Sequence, residues 1–157
     1  MKNQLKWFVL ITKPKAEKKV AQRLKDLGLE VYCPIKVEVR QWSDRKKKVE
    51  VPALPSMLFV KLEEHQRNIV FNVVGVLRYL FWLGEPAVVP EREIDTLKNS
   101  IDSGFKIVET KKIEPGHIIE IDGFGALDKT KGKVKHVSGN QIWVILEGLG
   151  YVLKLTI

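Results

Sequence analysis

The sequence of 157 residues contains little that an enzyme or a metalloprotein would need, since it has one cysteine, Cys33, and three histidines. A single cysteine cannot form an internal disulfide. Cys33 precedes Pro34 and has no histidine nearby in the sequence, so we expect a buried structural thiol. His65, His117 and His136 stand apart, without the spacing of metal ligands. We therefore expect no enzymatic activity, no metal and no cofactor.

Long apolar runs are also missing. No segment approaches the ~18 consecutive apolar residues that a membrane span requires. The short apolar run Trp7–Ile11 follows a mostly polar start, which is not the layout of a secretion signal. The segment Lys131-Gly132-Lys133 lacks the preceding glycine loop of a phosphate-binding P-loop. These absences favour a cytoplasmic protein without membrane contact, and we expect it to be a monomer.

Positive charge is abundant and unevenly distributed. The chain has 27 basic and 19 acidic residues, a net charge of +8. Residues 1–50 hold 14 basic and 6 acidic groups (+8), residues 51–102 hold 5 and 7 (−2), and residues 103–157 hold 8 and 6 (+2). Concentrated positive charge favours a polyanionic partner, because lysine and arginine release its condensed counterions. A solvated basic surface that only aids solubility is the alternative, and charge alone leaves both open.

Residues 1–104 alternate between strand patterns and helix patterns. Trp7–Ile11 predicts a strand that is apolar on both faces, and apolar residues at spacings of three and four over 16–27 predict a helix that ends at Gly28. This mixture predicts an α+β domain in which helices flank an antiparallel sheet. The other elements with clear patterns are a hairpin over 37–42 and 47–51, a strand over 57–62, and helices over 64–74 and 90–101.

The remainder of the chain has the pattern of an all-β module. Short alternating apolar segments are separated by isolated glycines, as in Lys131-Gly132-Lys133. This pattern, over about 45 residues, predicts a small β-barrel of the KOW type, whose closure removes the sheet edges. Residues 105–112 show no clear period. We therefore predict an α+β domain over 1–104, a linker over 105–112 and a KOW barrel over 113–157.

Both halves together resemble the NusG family of transcription elongation and antitermination factors. The resemblance implies a protein that binds RNA polymerase through its N-terminal domain, suppresses pausing or termination, and recruits partners through its KOW domain. The hairpin Gln41–Arg45 and the turn Gly84–Ala87 look most like the specialised UpxY and RfaH type. The segments that carry the resemblance are Lys6–Leu10, Lys13–Lys18, Tyr32–Pro34, Val51–Val60, Gly75–Tyr79 and the KOW motif around Gly116, Ile121, Gly123, Gly132 and Val134.

A sheet that is apolar on both faces must cover both or expose one to a partner. The resemblance implies the second outcome, an apolar depression that receives the clamp helices of RNA polymerase. The alternative is that helices cover both faces and the same residues form ordinary core. The candidate polymerase-binding residues are Trp7, Ile11, Leu54, Pro55 and Met57.

The predicted hairpin is strongly basic and carries a tryptophan near its tip. Lysine and arginine contact phosphates, and an aromatic ring can stack on an unpaired base. The resemblance implies that this side lies toward the non-template DNA strand or the nascent RNA, whereas the alternative is a solvated turn with the tryptophan packed on its own hairpin. The candidate nucleic-acid-binding residues are Arg40, Trp42, Arg45, Lys46, Lys47 and Lys48.

Two further contacts are implied by the resemblance alone. The turn containing His65, Gln66 and Arg67 is the candidate for a second contact with the polymerase. The KOW domain is expected to recruit a ribosomal protein, a termination factor or RNA. An alternative function for the whole chain is a KOW-containing RNA-binding or ribosome-associated protein. The candidate KOW contacts are Phe124, Leu127, Gly132 and Ile142.

Overall fold

A computed structural model describes residues 4–82, 84–112, 118–121, 125–128, 134–138, 141–146 and 151–157. The chain divides into two compact units. The first contains Met1–Pro34 and Leu54–Glu91, and the second contains Ile35–Ala53 and Arg92–Ile157.

Strands dominate the described part of the chain. Its helical elements are α1 (Glu17–Asp26), α2 (Glu91–Asp102) and a 3₁₀ helix (Glu64–Asn72). The strands up to α2 are β1 (Leu5–Thr12), β2 (Glu30–Tyr32), β3 (Ile35–Gln41), β4 (Lys46–Pro52), β5 (Met57–Glu63), β6 (Val76–Tyr79), β7 (Phe81–Trp82), β8 (Glu85–Pro86) and β9 (Val88–Val89). The strands after α2 are β10 (Lys106–Lys112), β11 (Ile118–Ile121), β12 (Gly125–Asp128), β13 (Val134–Ser138), β14 (Gln141–Leu146) and β15 (Tyr151–Thr156).

The first unit is built around β1. The sheet order is β2-β5-β1-β6, and the short strand β9 also pairs with β1. β1 and β5 are antiparallel and in continuous register from Leu5 opposite Glu63 to Ile11 opposite Met57. Because side chains alternate between the two faces of a strand, this register places Phe8 on the face opposite to Trp7 and Ile11.

The face of β1 that carries Phe8 packs against the core of the first unit. The apolar stripe predicted over 16–27 forms the buried side of α1, where Val20 and Leu24 are fully buried. The cluster that closes this face consists of Phe8, Leu10, Val20, Ala21, Leu24, Val31, Leu58, Val60, Leu62, Val70, Val73 and Tyr79.

The second unit contains a six-stranded sheet in the order β13-β14-β15-β10-β3-β4, and β11 pairs with β12 separately. Residues 106–112, which the sequence suggested as part of a linker, form β10, which is antiparallel to β15 and parallel to β3. Ile107 is the one fully buried residue of β10, and a single buried position produces no apolar periodicity in the sequence. The domain limits 1–104, 105–112 and 113–157 and the KOW barrel remain predictions.

The predicted fold class is confirmed, because an α+β region with an antiparallel sheet and few helices precedes a β-rich region. The first helix also ends just before Gly28, as predicted, and Gly28 has the left-handed conformation with φ of +86°. Within the described residues, no helix is long and apolar enough to cross a membrane.

Replacing Gly75 by alanine should destabilise the protein more than replacing Gly84. Both glycines have φ in the left-handed region, +105° and +84°, which costs alanine about 1–2 kcal/mol. A Cβ on Gly75 would lie 2.7 Å from Val20 Cγ2 in the core, whereas a Cβ on Gly84 would meet nothing within 4 Å. In the Gly75→Ala variant, overpacking adds about 1–3 kcal/mol to the loss of unfolding free energy. Urea unfolding of both variants measures the difference, and equal losses would contradict the close contact.

Candidate functional site

The five candidate polymerase-binding residues fall into two groups by exposure. Trp7, Leu54 and Met57 are 1%, 0% and 7% exposed, so they are not accessible to a partner in this structure. Ile11 is partly exposed and Pro55 is exposed. Ile11 lies opposite Met57 in the β1–β5 register, which places it close to the loop that carries Pro55.

Trp7 is held by a charged cluster. Its indole Nε1 donates a hydrogen bond to Glu91 Oε2. Lys61, the residue opposite Trp7 in β5, lies 3.2 Å from the other carboxylate oxygen of Glu91 and 3.8 Å from Glu30. The Lys61 ammonium is also 5.9 Å from the centroid of the Trp7 ring, within the range of a cation–π interaction. The buried indole N–H is therefore satisfied, which fixes Trp7 as part of the scaffold.

The loop before β5 is held in place by a buried carboxylate. Glu17, in the first turn of α1, is 4% exposed, and its Oε2 accepts a 2.9 Å hydrogen bond from the Ser56 backbone N–H. The Ser56 carbonyl accepts a 2.8 Å bond from the Thr12 N–H at the end of β1. Ser56 has φ of +60°, an uncommon value for a residue with a side chain. These bonds fix the backbone beside Pro55, which stays exposed.

Cys33 has the properties of an unreactive thiol. It packs against the core of the first unit, and burial raises its pKa to about 11, with a further increase from the negative charge of Glu17. The nearby ammonium groups of Lys18 and Lys25 act in the opposite direction. The thiolate, which is the nucleophilic form, is therefore scarce at neutral pH. The thiol is only partly buried, whereas the sequence predicted a buried one.

The three candidates for the second polymerase contact differ in availability. His65 is exposed, and its Nδ1 lies 3.2 Å from Glu63 Oε2. Gln66 forms the capping box of the 3₁₀ helix, with its Oε1 accepting a 3.1 Å bond from the Glu63 N–H. The Arg67 guanidinium lies 5.8 Å from the centroid of the Tyr79 ring, and its carbonyl accepts a 2.7 Å bond from the Tyr79 hydroxyl. Gln66 and Arg67 are therefore engaged in the fold, and His65 is the most accessible of the three.

The six basic-hairpin candidates are brought together and all are exposed. β3 and β4 pair directly, with Arg40 opposite Lys47, and the Trp42 N–H donates a 2.7 Å bond to the Arg45 carbonyl, which closes the turn. The Trp42 side chain remains 52% exposed, and the Lys47 ammonium lies 5.7 Å from its ring centroid. Arg40 also lies 3.5 Å from Glu38. Cations and an exposed indole on one hairpin can contact phosphates and bases respectively.

The structure locates only part of the predicted KOW contact. Ile142, on β14, is 3% exposed and belongs to the interior of its sheet. Leu127 pairs with Ile119 between β12 and β11. Phe124 and Gly132 lie outside the described residues.

Sequence reasoning missed the charged residues that support the β1–β5 surface: Glu17, Lys61 and Glu91. Lys61 interrupts the apolar run of β5, which was a usable signal. Glu17 and Glu91 sit in first turns of helices, where acidic residues are common because they complement the helix dipole. Their roles toward Ser56 and Trp7 depend on contacts 39 and 84 residues apart in the chain, which local patterns do not reveal.

Comparison with known proteins identifies the class. The family model described as "Transcription termination factor nusG" matches residues 5–98, more than half of the chain. The protein is a transcription factor and not an enzyme. It belongs to the NusG family, as the resemblance implied.

A solved structure described as "Domain interaction in Thermotoga maritima NusG" is similar over 95% of this chain and 92% of that chain, with 20% identity and a TM-score of 0.43. No curated protein matches the chain. Membership of the UpxY or RfaH type stays a prediction.

Burial, and to a smaller extent the Glu17 carboxylate, should slow the reaction of Cys33 with thiol reagents. With a pKa of about 11 instead of 9.0, Cys33 should react about 100-fold more slowly with a thiol reagent at pH 8 in the folded protein than in urea. Glu17→Gln removes the negative charge but not the burial, so the pKa should fall part of the way and labelling should accelerate by less than the full difference. Labelling kinetics followed by absorbance measure both effects. Glu64→Gln, at an exposed position, is the control, and equal rates in the two variants would contradict the assignment.

Proposed function

We propose that this protein is a cytoplasmic, monomeric transcription elongation and antitermination factor that binds RNA polymerase through its N-terminal region and suppresses pausing or termination. We further propose that it is a specialised member of the UpxY or RfaH type. Membership of the NusG family supports the first statement. The second rests on the hairpin Gln41–Arg45 and the turn Gly84–Ala87, which resemble that type.

The observation that carries the polymerase contact is an accessible apolar pair, Ile11 and Pro55, on a rigid support. Ile11 ends the part of β1 that is in register with β5, and the next residue, Thr12, is bonded to the loop through Ser56. The Glu17 carboxylate holds that loop by accepting a hydrogen bond from the Ser56 N–H. A preorganised apolar surface can bind a partner without first losing the entropy of ordering a loop.

The three buried candidates then have a supporting role. Trp7, Leu54 and Met57 hold β1 and the loop before β5 in position, and Ile11 and Pro55 make the direct contact. A second contact runs through His65, with Gln66 and Arg67 shaping the 3₁₀ helix from which it projects (Glu64–Asn72).

No covalent chemistry is required for this activity. A factor that binds one conformation of the polymerase more tightly than another shifts the population toward the tightly bound conformation. Simultaneous contact with the polymerase and with nucleic acid would favour the elongating state over the paused state. The exposed basic hairpin supports a contact with the non-template DNA strand or with nascent RNA.

The β-rich region after α2 is proposed to recruit a further partner, a ribosomal protein or a termination factor. Phe124, Leu127, Gly132 and Ile142 remain the candidate contacts from the sequence. Because Ile142 is buried in its sheet, its contribution would be to the shape of the surface and not to direct contact.

Placing a charge on the accessible pair should weaken polymerase binding. Ile11→Asp or Pro55→Asp puts a carboxylate into an apolar contact without changing a fully buried residue, so we expect at least about a tenfold loss of affinity. The measurement is binding of purified RNA polymerase from the same source to the immobilised full chain. Leu5→Asp is the matched control, because Leu5 is 56% exposed and lies at the opposite end of the same strand.

Trp7→Ala tests whether Trp7 supports the fold and does not itself contact the polymerase. It should lower the unfolding free energy by about 3–5 kcal/mol, as expected for a buried aromatic residue.

Polymerase binding that survives in both Ile11→Asp and Pro55→Asp would overturn the assigned surface. Absence of polymerase binding in the unmodified chain, together with salt-sensitive binding to free RNA, would favour the RNA-binding or ribosome-associated alternative.

A further inference from the structure

β4 (Lys46–Pro52) is the last strand of its sheet, and its outer side is available for pairing. The sheet order ends with β10, β3 and β4, and in the described part of the chain no strand pairs with β4 on the side away from β3. An edge strand presents unpaired backbone N–H and C=O groups, which form a template for a further strand. At seven residues, β4 has an ordinary length for a strand that pairs on both sides.

The register of the hairpin shows which backbone groups point outward. The Trp42 N–H donates to the Arg45 carbonyl, so these two residues form a hydrogen-bonded pair, and such pairs alternate along an antiparallel ladder. The ladder continues without a shift to Ile35 opposite Pro52, so every second residue of β4 points its backbone groups away from β3. These residues are Lys46, Lys48, Glu50 and Pro52. Pro52, which has no N–H, therefore occupies a position where the ladder needs no donor.

The part of β4 near the tip of the hairpin is basic, which determines the kind of strand that can pair there. Lys46, Lys47 and Lys48 are all exposed. Two copies of β4 side by side would crowd the lysines of both chains at one edge, and lysines on an edge strand are a common device against such pairing. A strand that carries carboxylates would instead be attracted, because opposite charges on neighbouring strands stabilise a sheet.

The base of the hairpin adds an apolar cavity. A cavity of about 250 Å³ within the second unit is lined by Ile35, Val37 and Glu50 of the hairpin, together with Ile101 and Phe105 at the end of α2 and just after it. The four apolar residues of this lining are only partly buried, so the cavity opens to the surface. A cavity of about 150 Å³ can hold benzene, so there is room here for one leucine or phenylalanine side chain.

The cavity lies on the same face of the hairpin as two of the lysines. Val37 is opposite Glu50 and Val39 is opposite Lys48, and alternate residues of a strand share a face. The side chains of Lys46, Lys48 and Glu50 therefore follow one another on this face, from the tip of the hairpin to the cavity. A strand added about 4.8 Å outside β4 would place its own alternate side chains beside these three positions.

We propose that the outer edge of β4 binds an extended segment of a partner protein. The segment carries carboxylates opposite Lys46 and Lys48 and a large apolar residue opposite Glu50, whose side chain enters the cavity. In strand addition of this kind, main-chain hydrogen bonds supply affinity, and pockets for alternate side chains supply specificity. The inference goes beyond the proposed function and does not rest on it, because the occupant is a protein segment and the main contacts are backbone groups of β4.

Binding of synthetic peptides to the unmodified full chain, followed by fluorescence anisotropy, tests the side-chain contacts. The probe is fluorescein-labelled Thr-Glu-Thr-Glu-Thr-Leu-Thr, used together with the reverse sequence because an added strand can run in either direction. Serine in place of the leucine should weaken binding about tenfold, since the apolar side chain no longer fills the cavity. Glutamine in place of both glutamates should weaken binding about fivefold, since exposed ion pairs contribute modestly. Equal affinity of the original probe and either altered probe would overturn the proposal.

A matched pair of variants at Lys48 separates the backbone contact from the charge. Lys48→Pro removes the outward N–H and the charge, whereas Lys48→Gln removes the charge alone. Proline is tolerated on an edge strand where its nitrogen faces outward, so the bonds between β4 and β3 should persist. Lys48→Pro should bind the probe about fivefold more weakly than Lys48→Gln, because one backbone hydrogen bond is lost. Equal affinities would mean that charge alone attracts the probe, as it would attract any polyanion, and would overturn the proposal.

A variant of the cavity wall tests the position of the apolar anchor. Ile101→Phe fills part of the cavity, so it should weaken binding of the leucine probe about tenfold and leave the serine probe within about twofold. Val108→Phe is the control, because Val108 is 39% exposed on β10 and is not among the residues that line the cavity. Equal effects of the two variants on the leucine probe would overturn the assignment of the anchor.

Sedimentation velocity of the chain without peptide tests the other possible occupant of the edge. We expect a monomer in the unmodified chain and in Lys48→Pro. A dimer that Lys48→Pro dissociates would assign the edge of β4 to a second copy of this chain and overturn the proposal.

Discussion

The pairing of β1 with β5 determines most of what this molecule can present to a partner. Seven consecutive pairs, from Leu5 opposite Glu63 to Ile11 opposite Met57, fix which residues face the α1 side and which face away. Both strands are apolar on both faces. A shift of one residue in their pairing would therefore leave the hydrophobicity of each face nearly unchanged, although it would move every side chain to the other face. The specific polar contacts at the two ends of the pairing remove this ambiguity. Lys61 meets Glu91 beside Trp7, and Thr12 meets Ser56 beyond Ile11.

Those polar contacts also explain why a surface expected to be open is mostly closed. A tryptophan whose N–H bonds to a carboxylate can be buried without an unsatisfied donor, and Glu91 supplies that carboxylate to Trp7. In the loop before β5, Glu17 likewise satisfies the Ser56 N–H, and Leu54 is fully buried next to an exposed Pro55. Hydrophobicity, which is high throughout, therefore does not decide which residues of this surface are buried and which are exposed.

Patterns in the sequence predicted the elements well and their partners poorly. The strand at Trp7–Ile11, the helix ended by Gly28 and the hairpin around Trp42 depend on local periodicity and turn chemistry, which act within a few residues. The exposure of Trp42 and the burial of Trp7 could not be separated in this way, since both are tryptophans in or beside strands. The two tryptophans differ in their spatial neighbours. Trp42 lies near Lys47, five residues away in the chain, whereas Trp7 is bonded to Glu91, 84 residues away.

Size considerations explain why a factor of this design would need more than one contact. A stable protein interface buries roughly 800 Å² on each partner. Two accessible apolar side chains, Ile11 and Pro55, supply only a fraction of that area. A basic hairpin that binds phosphates and bases is likewise weak by itself and sensitive to salt. When one chain makes both contacts within the same complex, the second contact becomes intramolecular and benefits from a high effective concentration. Such a factor would bind firmly where polymerase and exposed nucleic acid occur together and weakly to either alone, which matches the conditions of elongation.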